Sequence, residues 1–242
     1  MKVVAIIQAR MGSTRLPGKI LKEINEKPLL SYQLERLSNS IFINEFVIAT
    51  TKKEQDDKII TFCEEQNILY YRGSETDVLE RYYETAVEFN ADVIVRITSD
   101  CPIIDVQVVD KTIGFFLEKG HFDYVSNTIE RTYPRGLDTE IFTFAALEKA
   151  YKEATLERER EHVTAFFYSN PNIFKIANVK NDFDYSKFRW TVDTTEDFEL
   201  IKNIIQALYV KNPRFTLLDT VNVMKENPDW FNINAHIEQK KI

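Results

Sequence analysis

The 242-residue sequence has little cysteine, little histidine and no long apolar run, and each shortage excludes a class of protein. Its two cysteines, Cys63 and Cys101, show neither a CxxC pattern nor a metal-ligand spacing, which favours a reduced cytoplasmic setting over a disulfide-stabilised secreted one. No run approaches the roughly 18 apolar residues of a membrane span. The apolar run at 3–7 is too short for a signal peptide and leads into a polar loop. We therefore expect a soluble, cytoplasmic protein that does not engage a membrane.

Positive charge is also outnumbered, since the formal net charge is -7 at pH 7. Proteins that bind nucleic acids or membrane surfaces electrostatically are usually basic, so this balance argues against both partners. It does not exclude an anionic small substrate, because a local basic pocket with bound metal ions can hold a phosphate inside an acidic protein. The length suits one large α/β domain.

Apolar, β-branched runs alternate with amphipathic segments through the first half of the chain. This pattern predicts strands at 2–8, 45–51, 68–72 and 92–98 and helices at 27–37, 56–66, 78–90 and 106–119. Such alternation is typical of parallel strands joined by right-handed crossovers. Asp77 is placed to cap the helix at 78–90, because its carboxylate can accept unpaired N–H groups of the first turn.

The rhythm changes after His121. Here the sequence predicts strands at 123–127, 139–144, 174–179 and 188–192, and helices at 145–154, 160–169, 195–209 and 217–227. Residues 128–138 are predicted to form an irregular loop. We expect a single domain over 1–242, in which 123–180 is an elaboration that serves substrate binding or dimerisation.

A polar loop at 9–19 follows the first predicted strand, where open parallel sheets place their ligands. Gly12 and Gly18 allow the backbone to approach a ligand closely. Arg10, Arg15 and Lys19 add three cations within ten residues, and such side chains bind phosphate oxygens. The loop is neither a GxGxxG fingerprint nor a Walker loop. It predicts a phosphate site, and the alternative is an ordinary loop with solvated cations.

Two aspartates also follow predicted strands. Asp100 comes directly after the strand at 92–98, and Asp193 after the strand at 188–192. Carboxylates in these places could bind Mg²⁺, which prefers oxygen ligands. The alternatives are that Asp100 forms a turn before proline and that Asp193 starts the next helix. Each residue taken alone leaves both interpretations open.

A second polar loop, at 133–140, contains Arg135, Asp138 and Glu140 and could receive a charged or hydroxyl-rich substrate. His162, one of three histidines, could shuttle a proton. The alternative for His162 is a hydrogen-bonded histidine in the core.

Six segments carry a resemblance to known proteins: ARMGSTRLPGK at 9–19, DVLERY at 77–82, TSDCP at 98–102, RGLDTE at 135–140, EHVT at 161–164 and WTVDT at 190–194. The first resembles the nucleotide loop of the CMP–sugar-acid synthetases, which include the KDO and acylneuraminate cytidylyltransferases. The full set is still more similar to one branch, the spore coat polysaccharide biosynthesis protein F group. The likeness runs from residue 3 to about residue 205.

The resemblance implies an α/β fold of the nucleotide-diphospho-sugar transferase type, which is Rossmann-like, with three layers and a mostly parallel central sheet. It also implies transfer of CMP from CTP to an anionic sugar or sugar acid, with release of pyrophosphate, for surface or spore-coat polysaccharide biosynthesis. The implied partners are CTP, an anionic sugar and a second copy of the chain. The implied cofactor is Mg²⁺.

The resemblance also implies roles for individual residues. The nucleotide would be bound by Gln8, Ala9, Arg10, Gly12, Ser13, Arg15, Lys19, Gly73, Asp77, Arg81 and Ser99. Mg²⁺ would be held by Asp100 and Asp193, and these two residues with Arg15 and Lys19 would carry the catalysis. The expected substrate contacts are Arg135, Asp138, Glu140 and His162.

Two other functions compete with this one. A glycosyltransferase on a GT-A-like fold would use a nucleotide sugar, but that class usually carries a DxD motif, and Ser99-Asp100-Cys101 lacks the second aspartate. A nucleotide-binding protein without turnover is the other alternative. The joint presence of Arg15, Lys19, Asp100 and Asp193 argues against it.

Overall fold

The computed structural model describes residues 1–239, which form nine strands and ten α-helices. The strands are β1 (Val3–Gln8), β2 (Glu23–Ile24), β3 (Lys27–Pro28), β4 (Glu45–Thr51), β5 (Leu69–Gly73), β6 (Val93–Thr98), β7 (Tyr124–Ser126), β8 (Glu140–Thr143) and β9 (Ile176–Asn178). The helices are α1 (Leu29–Leu37), α2 (Asp57–Glu65), α3 (Val78–Glu88), α4 (Val106–Lys119), α5 (Phe144–Glu153), α6 (Glu157–Glu161), α7 (Ala165–Ser169), α8 (Thr195–Leu208), α9 (Leu217–Glu226) and α10 (Trp230–Asn234).

Seven strands make the central sheet, in the order β5-β4-β1-β6-β8-β7-β9. The four strands from β5 to β6 are parallel, as the alternation of strands and helices predicted. β8 runs antiparallel to both β6 and β7, and β9 is parallel to β7. The register of β6 and β8 sets Arg96 opposite Glu140. The predicted mostly parallel α/β sheet is therefore confirmed.

Both faces of the sheet are covered, because successive side chains of a strand point to opposite sides. Ala5 and Ile7 of β1 pack into a cluster with α1, α2 and α4. Val4 and Ile6 pack into a second cluster with α3, α5 and α7. These helix, sheet and helix layers confirm the three-layer architecture, and they leave the ends of the strands free to carry a site.

A third apolar cluster joins the chain's last third to the first loop. Trp190, which is fully buried, packs here with α8 and α9 and with Leu16 and Tyr32. The segment that precedes Asp193 is thus held next to the loop at 9–19.

The predicted strand at 188–192 is wrong. Within the described residues this segment makes only one isolated bridge, Arg135 to Arg189, although the amide of Trp190 donates to the carbonyl of Arg135 at 2.7 Å. Gly136 has φ +102°, and a Cβ there would lie 2.7 Å from the carbonyl carbon of Trp190. The backbones touch without forming a ladder, and the buried apolar side chains that suggested a strand pack in the third cluster instead.

The predicted helix at 160–169 is two short helices, α6 and α7, separated by residues 162–164. His162 adopts an extended conformation at this break. The helix α10 was not predicted. The predicted cap is confirmed, because the carboxylate of Asp77 accepts from the amide of Glu80 at 2.8 Å. Among residues 1–239 no helix has the length and hydropathy to cross a membrane.

Candidate active site

A cavity of about 860 Å³ opens at the carboxyl ends of β1 and β6. Its lining comes from four parts of the chain that are far apart in sequence: the end of β1 with its following loop, the start of α3, the end of β6, and α6 with His162. Asp193 completes the wall next to the loop. The site therefore lies where a parallel sheet is expected to bind a ligand.

The loop at 9–19 is a compact turn built around one carbonyl. The oxygen of Met11 accepts from the amides of Ser13 at 2.9 Å and Gly18 at 3.0 Å. Gly18 has φ +66°, a conformation that favours glycine. The chain then enters a short 3₁₀ helix that begins at Lys19, whose side chain lines the cavity. Arg10 and Ser13 line it too, whereas Gly12 does not.

Lys19 joins the two aspartates that the sequence analysis singled out. Its Nζ lies 2.7 Å from Oδ1 of Asp193 and 3.4 Å from Oδ2 of Asp100. Burial lowers the pKa of Lys19, but the two carboxylates outweigh burial and raise the pKa above its ordinary value of 10.5. The structure thus brings Lys19, Asp100 and Asp193 into one charged cluster, although Lys19 and Asp193 are 174 positions apart in the sequence.

Asp193 is braced by two further cations. Its Oδ2 lies 2.8 Å from both Arg15 and Arg189. Burial raises the pKa of Asp193, and the cations, led by Lys19, overcome that effect and hold the pKa below its ordinary value. The carboxylate is therefore ionised at neutral pH.

Arg189 and Asp197 hold Asp193 in place through hydrogen bonds, and neither was predicted to belong to the site. The guanidinium of Arg189 holds Asp197 with two hydrogen bonds, at 2.9 and 3.0 Å, and Asp197 is fully buried. Asp197 also accepts from the amide of Asp193 and from the side chain of Asn234 in α10, and Gln239 accepts from Arg189. The sequence does contain a signal for this arrangement, because an arginine stands four residues before Asp193 and an aspartate four residues after it.

The donor set fits a divalent metal ion. Two carboxylates converge on one point that an ammonium now neutralises, and Oδ1 of Asp100 is oriented by the Thr98 hydroxyl at 2.6 Å. Within the part of the chain that the structure describes, no group of three or more His, Cys, Asp or Glu side chains could hold a metal. Mg²⁺ is commonly bound through one or two carboxylates together with substrate phosphates and water. Asp100 and Asp193 suit a cation that takes its remaining oxygen ligands from a phosphate group and water.

A further part of the wall is built from the start of α3 and from α6. Arg160 donates from Nε to the carboxylate of Asp77 at 2.7 Å and from Nη1 to the carbonyl of Tyr151 at 2.7 Å. Its guanidinium also lies 5.0 Å from the centre of the Tyr151 ring. Arg160 was missed in the sequence because its partner, Asp77, lies 83 residues away. Glu157 and Glu161 give this wall negative charge.

The remaining predicted nucleotide contacts divide into two groups. Gln8, Ala9, Ser99 and Arg81 line the cavity, and Arg81 is buried, which lowers its pKa. Gly73 does not line it, and a Cβ there would lie 2.8 Å from Cγ of Arg81. The glycine makes room for that arginine.

Of the four predicted substrate contacts, only His162 lines the cavity. Asp138 is held by the guanidinium of Arg131, with one bond of 2.9 Å. Glu140 is buried in an ion pair with Arg96. The backbone of Arg135 lies beside the Trp190 segment, and Arg135 does not line the cavity.

Comparison with known proteins gives a consistent picture. A family model described as cytidylyltransferase matches residues 4–225. The spore coat polysaccharide biosynthesis protein SpsF of Bacillus subtilis is 33% identical over 238 residues, which cover 94% of this chain and 95% of its own. A solved cytidylyltransferase structure from Leptospira borgpetersenii has a TM-score of 0.91 and 38% identity, with both chains fully covered. The 3-deoxy-manno-octulosonate cytidylyltransferase of Geobacter metallireducens is 33% identical over 117 residues, 47% of this chain and 44% of its own.

Proposed function

The chain belongs to the cytidylyltransferase family, and from that membership we propose that it transfers CMP from CTP to an anionic sugar or sugar acid and releases pyrophosphate. The observation that carries the proposal is that the cationic loop meets Asp100 and Asp193 in one cavity, through Lys19. The names of SpsF and of the 3-deoxy-manno-octulosonate enzyme support a sugar acid as acceptor and polysaccharide biosynthesis as its use.

In the proposed reaction a hydroxyl oxygen of the acceptor attacks the α-phosphorus of CTP. The new P–O bond forms as the bond from the α-phosphorus to the bridging oxygen breaks, and pyrophosphate leaves with that oxygen. The hydroxyl proton passes to a base. His162 lines the cavity and is our candidate for that base.

The chain's main contribution is position and charge, because phosphoryl transfer needs little covalent help. Arg10, Arg15 and Lys19 line the cavity and would bind the triphosphate oxygens. The triphosphate would compete with Asp193 for Arg15 and Lys19, so binding would rearrange ion pairs that already exist.

Cytidylyltransferases of this family generally use a divalent metal. We propose Mg²⁺, held by Asp100 and Asp193. When bound, it would neutralise charge on the phosphates and polarise the α-phosphate.

The acceptor would lie against α6. Glu157, Glu161 and His162 give this wall hydrogen-bonding groups and negative charge. An acceptor that carries an amine as well as a carboxylate would suit such a surface. We further propose that residues 123–180, within a single domain, serve as an elaboration for the acceptor and for a homodimer.

The test is a screen for pyrophosphate release. CTP, UTP, ATP and GTP are each offered with Mg²⁺ and a panel of sugar acids, with and without amino groups, and the products are identified by mass. Release with CTP and one sugar acid, and its loss in Asp100→Asn, is the expected result. Binding of CTP with no release for any acceptor would favour a protein without turnover. Consumption of a nucleotide sugar without pyrophosphate would favour a glycosyltransferase.

A further inference from the structure

A buried ion pair lies beneath the cavity, at the register position where β6 meets β8. The guanidinium of Arg96 pairs with Glu140, and the hydroxyl of Tyr124 donates to the other carboxylate oxygen at 2.5 Å. Burial lowers the pKa of Arg96, but Glu140 outweighs it and raises the pKa. The guanidinium of Arg96 therefore stays charged despite its burial.

Among the residues up to 239, Arg96 makes one further side-chain hydrogen bond, and its partner lines the cavity. Its Nη2 donates to Oε1 of Gln8 at 3.2 Å, and Gln8 lines the cavity. A guanidinium can only donate hydrogen bonds, so it can pair with the amide oxygen of Gln8 but not with the amide NH₂ group. Arg96 thus decides which way the Gln8 amide points.

The other end of that amide is left for a ligand. Within residues 1–239, Nε2 of Gln8 makes no hydrogen bond that the structure records, and it is not among the polar atoms buried without a partner. This donor belongs to a side chain that lines the cavity. Gln8 ends β1 directly before the cationic loop and lies opposite Thr98, two residues before Asp100.

We propose that Arg96 and Glu140 are positioning residues, which fix Gln8 so that Nε2 donates a hydrogen bond to an oxygen of the bound nucleotide. The inference rests on the proposed function for the identity of that nucleotide, CTP. Glu140, which the sequence suggested as a substrate contact, acts in this arrangement through Arg96 and Gln8.

The energetics of the pair support a positioning role. A buried ion pair is often no more stable than apolar residues of the same volume, so it is weak evidence of a contribution to stability. This pair even leaves Nε of Arg96 buried without a hydrogen bond in the described chain. What apolar residues could not supply is an orientation for the Gln8 amide.

The first test inverts the group that faces the cavity. In Gln8→Glu the carboxylate can still accept from Arg96, but it presents an acceptor to the nucleotide where the amide presents a donor. Binding of CTP with Mg²⁺, measured by calorimetry without any acceptor sugar, should weaken about fivefold in Gln8→Leu, the worth of one hydrogen bond, and at least about fiftyfold in Gln8→Glu. Equal losses in the two variants, or none, would overturn the proposed donor.

The second test separates positioning from structure. The double variant Arg96→Met, Glu140→Gln removes both buried charges and keeps an acceptor for the Tyr124 hydroxyl. It should fold with a similar Tm and weaken CTP binding about as much as Gln8→Leu. Adding Gln8→Leu to it should weaken binding no further, because both changes disable the same hydrogen bond. Additive losses would overturn the positioning role.

The chain offers a matched control outside the cavity. Lys27, Glu35 and Tyr209 also combine a cation, a carboxylate and a tyrosine hydroxyl, in a more exposed place. Lys27→Met, Glu35→Gln should leave CTP binding at the wild-type value, and an equal loss there would overturn the specific role of Arg96 and Glu140. If the wild-type protein binds CTP but the Gln8 variants bind it equally well, this inference fails while the proposed function stands. If the wild type binds no CTP, both fail.

Discussion

Replacing Lys19 with methionine should make the protein bind a divalent cation more tightly when no nucleotide is present. The ammonium lies 2.7 Å from Asp193 and 3.4 Å from Asp100, the two carboxylates that a cation would use. A cation that arrives alone must displace this ammonium from the wild-type site. In Lys19→Met both carboxylates are available, while Asp193 keeps its contacts with Arg15 and Arg189.

The size of the effect lies between two limits. An ion pair at 4 Å near a protein surface is worth about 4 kcal/mol before desolvation and side-chain entropy are subtracted. Exposed pairs retain a net value of about 1 kcal/mol or less. The side chain of Lys19 is 12% exposed and contacts two carboxylates, so we expect a value between these limits. A gain of about 1.4–2.8 kcal/mol corresponds to a Kd for the cation that is about ten to a hundred times lower.

The assay is a calorimetric titration of the nucleotide-free protein with Mn²⁺ or Mg²⁺. Lys22→Met, which removes an exposed lysine three residues further along, is the matched control and should bind the cation as the wild type does. With CTP and an acceptor, kcat/KM of Lys19→Met should fall, by about 2–3 kcal/mol of transition-state stabilisation. A cation affinity equal to or weaker than that of the wild type would refute the idea that Lys19 competes with the metal.

Three further predictions concern the walls of the site. The lowered pKa of Asp193 means that its ionised form stabilises the fold at pH values above its ordinary pKa of 3.8, and this contribution is lost as the pH falls through the pKa of the folded state. In urea unfolding, Asp193→Asn should therefore lose less stability than the wild type between pH 7 and pH 3. Parallel losses in the two proteins would contradict this. Arg160→Ala should cost about 1 kcal/mol of stability and raise KM, because α6 loses its contact with Asp77; unchanged KM would show that this wall does not contact substrate. Gly136→Ala should destabilise the fold by at least about 3 kcal/mol in chemical denaturation, because the new Cβ would lie 2.7 Å from the carbonyl carbon of Trp190 and φ of residue 136 is +102°. A loss below about 1 kcal/mol would mean that the backbone can shift there.

Much of the fold was predictable because local patterns and burial agree. The bounds of β4 and α4 were predicted to the residue, since a buried β-branched run and a long amphipathic run leave little choice. The segment before Asp193 misled for a physical reason. Its apolar residues are buried as a strand's would be, but they contact a third cluster and find no neighbouring ladder.

The site was predictable where one rule governs its parts. Asp100 follows β6 and Lys19 follows β1, and parallel strands bring their carboxyl ends to the same edge. The partners of Arg160 and Arg96 could not be read from one sequence, because each pairing joins residues tens of positions apart. A charged side chain looks the same in a sequence whether it faces substrate or another charge.

The brace under Asp193 has a practical consequence for anyone who shortens this chain. The family match ends at residue 225, yet Asn234 and Gln239 hold Asp197 and Arg189 from beyond that boundary. A protein trimmed to the matched region would keep every residue of the cavity lining. It would lose the contacts that support Arg189 and Asp197, and through them Asp193. Its failure to turn over would then report the missing tail and say nothing about the chemistry of the site.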